Sequence, residues 1–245
     1  KNNVLRHVDR LGKRPLEGSI YLIVDPRERP QQRKYLSTGI PVYHDDGTKF
    51  GGWAGMGYSS DGLTWHSMPG GLRAGAGGGN ASIVWDQNLQ KYVLFHRQLT
   101  EQADRETIDS ERYVVRQESE ELIDWSPRQT VFNPMMDERR PEVESMRVYL
   151  YEGFYLGIPS MLDNLVHGDV EQHLIISRDG YRWDYPFPDE AFIPKGKDGQ
   201  WDDNVVWFPC MIVHNNKMLF YYGGARYRHN VNGESLDKRQ IKIGM

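Results

Sequence analysis

The chain has 245 residues, with 30 Lys plus Arg against 34 Asp plus Glu, for a net charge of −4, a length that suits one all-β barrel or propeller with a sizeable core. Aromatic residues make up 12%, including 7 Trp and 14 Tyr, which excludes a disordered chain, and the near-neutral charge gives no bulk reason to expect a nucleic-acid partner. The single cysteine, Cys210, excludes an internal disulfide framework and a cysteine-only metal site, and no apolar run approaches the ~18–20 residues that span a membrane.

In chain order, four hairpins are predicted from apolar and aromatic runs that flank turn residues. Residues 20–24 lead through a turn at 25–30 to 34–36. Residues 82–85 lead through Asp86, Gln87 and Asn88 to 91–95. Residues 148–150 turn at Tyr151, Glu152 and Gly153 into 154–156, and residues 210–213 turn at His214, Asn215 and Asn216 into 218–222. No segment carries a convincing helical period, and the polar excursion at 100–110 reads as a loop between strands.

A second hairpin signal recurs between these. Ser59 to Trp65 reads SSDGLTW and Ser177 to Trp183 reads SRDGYRW, while Ser119 to Trp125 reads SEELIDW, with Glu for Asp and Leu for Gly. The Trp residues lie at 65, 125 and 183, spaced by 60 and 58 residues. Asp-Gly makes a tight turn because Gly accepts positive φ and Asp bonds its own backbone. A hairpin plus a Ser-to-Trp hairpin gives about four strands per repeat of ~59 residues, the content of a propeller blade. Complete repeats fall at 17–69, 79–133 and 142–194, and a fourth begins near Asp203. The expectation is one all-β propeller domain over 1–245, five-bladed when complete, with the chain a fragment or a trimmed product, since it opens on Lys1 without a signal pattern.

The segments KNNVLRHVDR, IVDPRERPQQRKYL, SSDGLTW, VESMRVYLYEGFYLGIPS, HLIISRDGYRW and WDDNVVWFPCMIVHNNKMLFYYGG together resemble the five-bladed β-propeller glycosidases, such as glycoside hydrolase families 32 and 43, and uncharacterised relatives of these. The Ser-Asp-Gly-Trp turn is also similar to the Asp-box of sialidases, which carries an extra residue between Asp and Gly. The resemblance implies a funnel-mouth site where innermost strands begin, with a base or nucleophile Asp, a supporting Asp and a general-acid Glu on different blades. Glycosidic cleavage needs a protonated carboxyl beside the leaving oxygen and an ionised one opposite, and their environments separate the two. It also implies a carbohydrate partner and a structural Ca²⁺ in some relatives, which this sequence does not demand. A secreted or periplasmic location is the accompanying expectation.

Matched onto this chain, Glu144 is the acid candidate, with Glu142 on the same strand face. Asp203, with Asp202 beside it, is the candidate base or stabiliser, and Trp201 is placed to stack on a sugar ring. The second-repeat position is Asn80, after the Gly-rich run 75–79. An Asn is neither base nor nucleophile, so the base is not assigned, and that run lacks phosphate-loop spacing. Glu17 reads as a turn charge or a pocket acid, and Asn2 and Asn3 as pocket residues. His96, Arg97, Arg226 and His229 offer donors to a hydroxyl-rich or carboxylated sugar, with Tyr222 and Tyr227 around a predicted Gly223-Gly224 turn. Asp25 and Asp86 read as structural turn residues, and His44-Asp45-Asp46-Gly47 as a hairpin turn. His167, Asp169, Glu171 and His173 read as a polar strand face or a metal site, and Cys210 as a buried packing residue. Two further readings stay open beside the hydrolase: a non-catalytic glycan-binding propeller, and a protein-interaction propeller, which would expose an apolar patch.

Overall fold

A computed structural model describes residues 6–7, 14–15, 21–25, 27, 33–43, 49–68, 81–99, 112–134, 142–163, 168–226 and 241–245. Every regular element among them is a strand. The chain divides into two compact units, one of Lys1–Gln98 with Val115–Gln129, the other of Leu99–Val114 with Thr130–Met245.

Strands β1 (Arg6–His7), β2 (Arg14–Pro15), β3 (Tyr21–Val24), β4 (Tyr35–Tyr43), β5 (Lys49–Ser59) and β6 (Thr64–Ser67) form a sheet in the order β2-β1-β6-β5-β4-β3. Strands β7 (Ser82–Asp86), β8 (Lys91–Leu99), β9 (Arg112–Ser119) and β10 (Gln129–Phe132) form a four-stranded meander. The third sheet holds β11 (Glu142–Tyr151), β12 (Phe154–Asp163), β13 (Asp169–Gln172), β14 (Ile175–Ser177), β15 (Val205–His214), β16 (Lys217–Ala225) and β17 (Lys242–Gly244). All four predicted hairpins are present, as β3–β4, β7–β8, β11–β12 and β15–β16. Of the predicted repeats, β3–β6 and β7–β10 each run as four strands paired in chain order, whereas in the third stretch β13 and β14 both pair with β12, the sheet continues into β15, and isolated bridges join Gln172 to Ile193 and Ile176 to Asp184.

The repeat owes its shape to its turn. Ser59 Oγ accepts the amides of Asp61 (3.3 Å) and Gly62 (2.9 Å) and donates to Asp61 Oδ1 (2.9 Å). Asp61 Oδ1 in turn accepts the amides of Leu63 and Thr64, each at 2.8 Å, while Gly62 sits at φ 76°. The Ser177 copy repeats this, with Gly180 at φ 72° and Asp179 accepting the amides of Tyr181 (2.8 Å) and Arg182 (2.9 Å). The altered copy keeps the geometry without glycine. Ser119 Oγ accepts the Leu122 amide at 2.9 Å, and Leu122 sits at φ 66°. Such a conformation is uncommon for a bulky residue, and here the side chain is buried at 1% exposure, so packing offsets the strain. Glu121, longer than Asp, reaches Arg27 instead.

Asp25 and Asp86 are turn residues, as expected. Asp86 Oδ1 accepts the amides of Asn88 and Leu89. Asp25 accepts the Arg27 amide and the Tyr92 hydroxyl, the latter at 2.6 Å. The Arg27 guanidinium lies 4.4 Å from both the Trp85 and Tyr92 ring centres. These contacts tie the β3–β4 turn to the β7–β8 hairpin, above a core of Leu36, Met56, Met68, Ala81, Ile83, Leu94 and Leu122.

His96 lies inside β8, which runs on to Leu99 rather than ending at this residue. It is 1% exposed. Gln117 donates its amide N–H to the Ser126 carbonyl (2.7 Å), which leaves Gln117 Oε1 facing His96 Nε2 at 3.0 Å. The neutral ring therefore carries its proton on Nε2, and Nδ1 accepts from Gln98 Nε2 at 3.1 Å. Burial lowers the proton affinity of His96, and Arg128 acts the same way against the Gln117 hydrogen bond.

Two outcomes follow for solution work. The Thr64 and Leu63 amides, and then the Ser59 hydroxyl, hold Asp61 down at about 2 from an ordinary 3.8. Ser59→Ala is expected to raise its NMR titration midpoint, and an unmoved midpoint would show that the amides alone suffice. For His96 the folded state takes a proton less readily than the unfolded chain at 6.5. Its stabilising share is then complete above that value and is lost as pH falls below it, with a slope of at most about 1.4 kcal/mol per pH unit. Urea midpoints taken between about pH 8 and about pH 5 are expected to fall more steeply in the wild type than in His96→Gln.

Candidate functional site

The third sheet is aligned by one transverse row of paired residues. Glu142 on β11 faces Leu162 on β12, Leu162 faces Val170 on β13, Val170 faces Val205 on β15, and Val205 faces Ala225 on β16. Leu162, Val170, Val205 and Ala225 form a buried apolar cluster with Trp207 against it. Successive strand side chains alternate faces, so the row fixes which polar groups gather at its level. Asp169 and Arg226 are chain neighbours of row members, and Glu144 and Asp203 are each two residues from one. A second contact set places the starts of β11 and β15 at the same end. Tyr149 donates to the Pro209 carbonyl at 2.6 Å, and the Arg147 guanidinium lies 5.3 Å from the Phe208 ring centre. Both contacts run in the same order along the two strands.

Glu142 and Glu144 open β11, whose first seven residues are all buried. The register steps from Val143–Met161 to Ser145–Ser160, which makes Glu144 the extra residue of a β-bulge. A bulge breaks strict alternation and re-aims a side chain. Both carboxylates reach one guanidinium: Arg112 Nη1 lies 3.1 Å from Glu142 Oε2 and 3.0 Å from Glu144 Oε2. These are charge contacts without hydrogen-bond alignment, since Arg112 Nη1 and Nε are buried with no hydrogen-bond acceptor. The sequence reading missed Arg112, because its partners lie 30 residues away on another strand and no local motif marks it.

One row below the bulge, three wholly buried polar groups form a directed chain. Ser160 donates to Gln172 Oε1 at 2.9 Å, so Ser145 supplies the proton in its 2.9 Å contact with Ser160. Gln172 Nε2 then donates to the Val206 carbonyl at 2.6 Å. This chain links β11, β12, β13 and β15 directly beneath the acids.

Asp202 and Asp203 precede β15 and are both buried. Asp202 Oδ2 accepts the Tyr222 hydroxyl at 3.0 Å. Burial and this carboxylate raise the proton affinity of the Tyr222 phenol. Asp203 Oδ2 accepts the Gly199 amide at 2.8 Å and lies 3.4 Å from Arg226 Nε, while Asp203 Oδ1 accepts from Asn204 Nδ2 at 3.2 Å. Trp201 stacks on Tyr222 with centroids 5.8 Å apart and planes 13° from parallel, a half-buried aromatic shelf beside the two acids. The predicted Gly223-Gly224 turn is corrected here. Both glycines lie inside β16, paired with Trp207 and Val206. Their use is close approach: a Cβ at Gly224 would meet Trp201 Cζ3 at 2.5 Å and Asp202 Cβ at 2.6 Å.

The other expected residues divide as follows. His96 is enclosed in the hydrogen-bond network described above, with Arg97 half-buried next to it. Asp169 pairs with Lys195 Nζ, Glu171 accepts the Lys195 amide, and His173 contacts the Tyr185 hydroxyl at 2.7 Å. Among the described residues no three His, Cys, Asp or Glu side chains gather to hold a metal ion, so no ligand set is assigned to the implied Ca²⁺. Cys210 is exposed rather than buried, because the distal half of the β15–β16 hairpin is largely uncovered. Asn2, Asn3, Glu17, the 44–47 turn, the 75–79 glycines, Asn80, the 100–110 loop, His167, Tyr227 and His229 lie outside the described residues. Among the described residues no helix is long and apolar enough to cross a membrane.

No family model matches the sequence, and no curated protein is significantly similar to it. Solved structures are similar in fold. A thermostable family-43 glycoside hydrolase matches at TM-score 0.65 and 15% identity, over 91% of this chain and 69% of that one. A further glycoside hydrolase matches at TM-score 0.59 and 13% identity, over 85% of this chain and 61% of that one. An N-acetylgalactosamine deacetylase from F. plautii, solved with blood group B trisaccharide, matches at TM-score 0.52 and 13% identity, over 95% of this chain and 89% of that one. The chain thus spans about three fifths of the second of these proteins. Likeness at such identities carries the fold alone, which is all-β and propeller-like.

The Gly224 approach yields a paired expectation. Gly224→Ala is expected to destabilise the protein by about 1–3 kcal/mol through overpacking. Gly223→Ala is expected to be tolerated, because its Cβ would meet nothing closer than Ile241 Cγ2 at 3.5 Å. Thermal denaturation of the two variants decides this, and equal losses would refute the close-approach account.

Proposed function

We propose that this chain is a glycan-active hydrolase that takes a carbohydrate at the end of the third sheet where β11 and β15 begin. In this reading it belongs to a five-bladed propeller. Glu144 protonates the glycosidic oxygen of the leaving group, Asp203 serves as base or charge stabiliser, Asp202 and Glu142 support them, and Trp201 stacks on a sugar ring. The observation that supports the reading is the transverse row itself, which brings Glu142 into register with Val205, so that buried carboxyls from two separate strand starts lie at the same end of one sheet. Cleavage of a glycosidic bond calls for two carboxyls from opposite sides of the bond, one protonated and one ionised.

A second reading, a glycan-binding propeller without catalysis, is favoured by one specific observation. The acids are engaged: Glu142 and Glu144 with Arg112, Asp203 with Arg226, Asp202 with Tyr222. Carboxylates held this way present fixed hydrogen-bond acceptors to sugar hydroxyls, a binding role that needs no proton transfer.

Hydrolysis of a panel of aryl glycosides and plant and algal oligosaccharides separates the two. Wild-type activity that falls at least ~100-fold in Glu144→Gln, the size of a lost general acid, is the expected result. An inert wild type with saturable binding to the same panel would replace the hydrolase by the binding reading.

A further inference from the structure

Among the described residues Arg112 touches both Glu142 and Glu144, and the way it does so is unusual. A single nitrogen, Nη1, sits 3.1 Å and 3.0 Å from one oxygen of each carboxyl. The bidentate fork that usually pairs Arg with a carboxylate is not made with either acid. All three side chains are nearly enclosed, at 12%, 6% and 9% exposure. In such a place charges act on one another with little screening. Two carboxyls within about 3 Å of one point also repel each other when both are ionised.

The geometry points to Arg112 as a positioning residue that couples Glu142 and Glu144 into one titrating pair and holds the bulged Glu144 at the strand start. The inference deepens the hydrolase reading and rests on it for its catalytic consequence, but the coupling itself stands on the three side chains alone. Arg112 reaches them from β9, a different strand from the one that bears the acids. It therefore fixes the pair from outside the bulge, which by itself leaves the Glu144 direction weakly determined. From beneath, the buried Ser145–Ser160–Gln172 chain holds the next residue of β11. Glu144 is thus constrained on both sides, by charge from one and by a hydrogen-bonded row from the other.

The remaining charged groups of the neighbouring elements are placed as follows. On β11 itself the next cation is Arg147, buried against Phe208. On β12 there is Asp163, on β13 Asp169 with Lys195 and Glu171 with the Lys195 amide. Before β15 stand Asp202, bonded to Tyr222, and Asp203, paired with Arg226. On β9 Arg116 pairs with Glu118, and each of the acids named on β13 and before β15 has its own local donor, while Arg112 is in direct contact with both Glu142 and Glu144.

Carboxyl ¹³C NMR titration of the whole chain tests this without reference to activity. In Arg112→Gln the Glu142 and Glu144 midpoints are expected to rise by about one unit or more, roughly tenfold in proton affinity, because an adjacent opposite charge favours the ionised form by about that much. Arg112→Lys, which returns a cation, is expected to restore much of the change. In Glu144→Gln the Glu142 midpoint is expected to move as well, since coupled sites titrate as a pair. Midpoints that stay within a few tenths of a unit in a folded Arg112→Gln protein, or a Glu142 midpoint indifferent to Glu144→Gln, would overturn the inference. If the wild type hydrolyses glycosides, Arg112→Gln is further expected to lower kcat more than it raises KM and to move the basic limb of the pH–rate profile upward. If the wild type is inert, the hydrolase reading fails while the titration still decides the role of Arg112.

Discussion

Val170 and Val205 form the one parallel pair between β13 and β15, and both are fully buried. Everything at the candidate site takes its level from this pair. It ties the β11–β14 strands to the β15–β17 strands, and it is reinforced by bonds from the Val170 amide to the Asn204 carbonyl at 2.9 Å, from Gln172 Nε2 to the Val206 carbonyl at 2.6 Å and from the Tyr149 hydroxyl to the Pro209 carbonyl at 2.6 Å. Burying each valine contributes about 1.5–3 kcal/mol. A slip of one residue would turn Val205 outward and every side chain of β15 with it. It would also shift Asp202 and Asp203 relative to Glu142. The apolar row and the acids beside it are therefore one structural decision rather than two, and the site inherits its geometry from the core.

The same sheet breaks local rules at two places, and both border that row. Glu144 is an extra residue in β11, and Phe208 in β15 sits at φ 49° where the register shifts between Trp207 and Cys210. Positive φ at a bulky aromatic costs of order 1–3 kcal/mol and persists only where surroundings over-determine it. Here Trp207 stacks against Phe208 with centroids 5.7 Å apart, Arg147 approaches its ring, and Tyr149 binds the next carbonyl. The two register shifts, one in β11 at Glu144 and one in β15 at Phe208, both fall on the strand-start side of the Tyr149–Pro209 contact and interrupt regular pairing there.

The sequence was most legible where structure is local. The Ser-to-Trp turns can be read from three or four adjacent residues, because one hydroxyl and one carboxylate satisfy four neighbouring amides. The altered copy was legible only by its spacing, since Leu122 takes a glycine's conformation through burial that no local rule foresees. The strand starts followed from the same periodicity, whereas Glu142, Glu144 and Asp203 as candidates came from the resemblance to propeller glycosidases matched onto those starts. What could not be read is non-local. Arg112 meets the acids through the stacking of separate strands, the bulge at Glu144 has no glycine to announce it, and Gly223-Gly224 imitated a turn while serving a tryptophan. Cys210 sits among apolar neighbours in sequence yet faces outward, because the strands that would cover it are a matter of tertiary arrangement.

The fold alone does not choose the chemistry. Similar solved structures include glycoside hydrolases and a sugar deacetylase, and a shared scaffold carries different reactions through the residues grafted on it. Under the proposed hydrolase reading the choice falls to the charge state of a few buried carboxyls. An acid that donates a proton at neutral pH must be kept protonated by its surroundings, by apolar burial or by a nearby like charge. Glu144 is enclosed close to the Glu142 carboxylate, and both touch the Arg112 guanidinium. Asp203 has an exposed arginine and two hydrogen-bond donors around it. The two carboxyls meet different partners, Glu144 the Arg112 guanidinium and Asp203 an exposed arginine with two hydrogen-bond donors, so under the hydrolase reading the difference between them comes from side chains that separate strands supply.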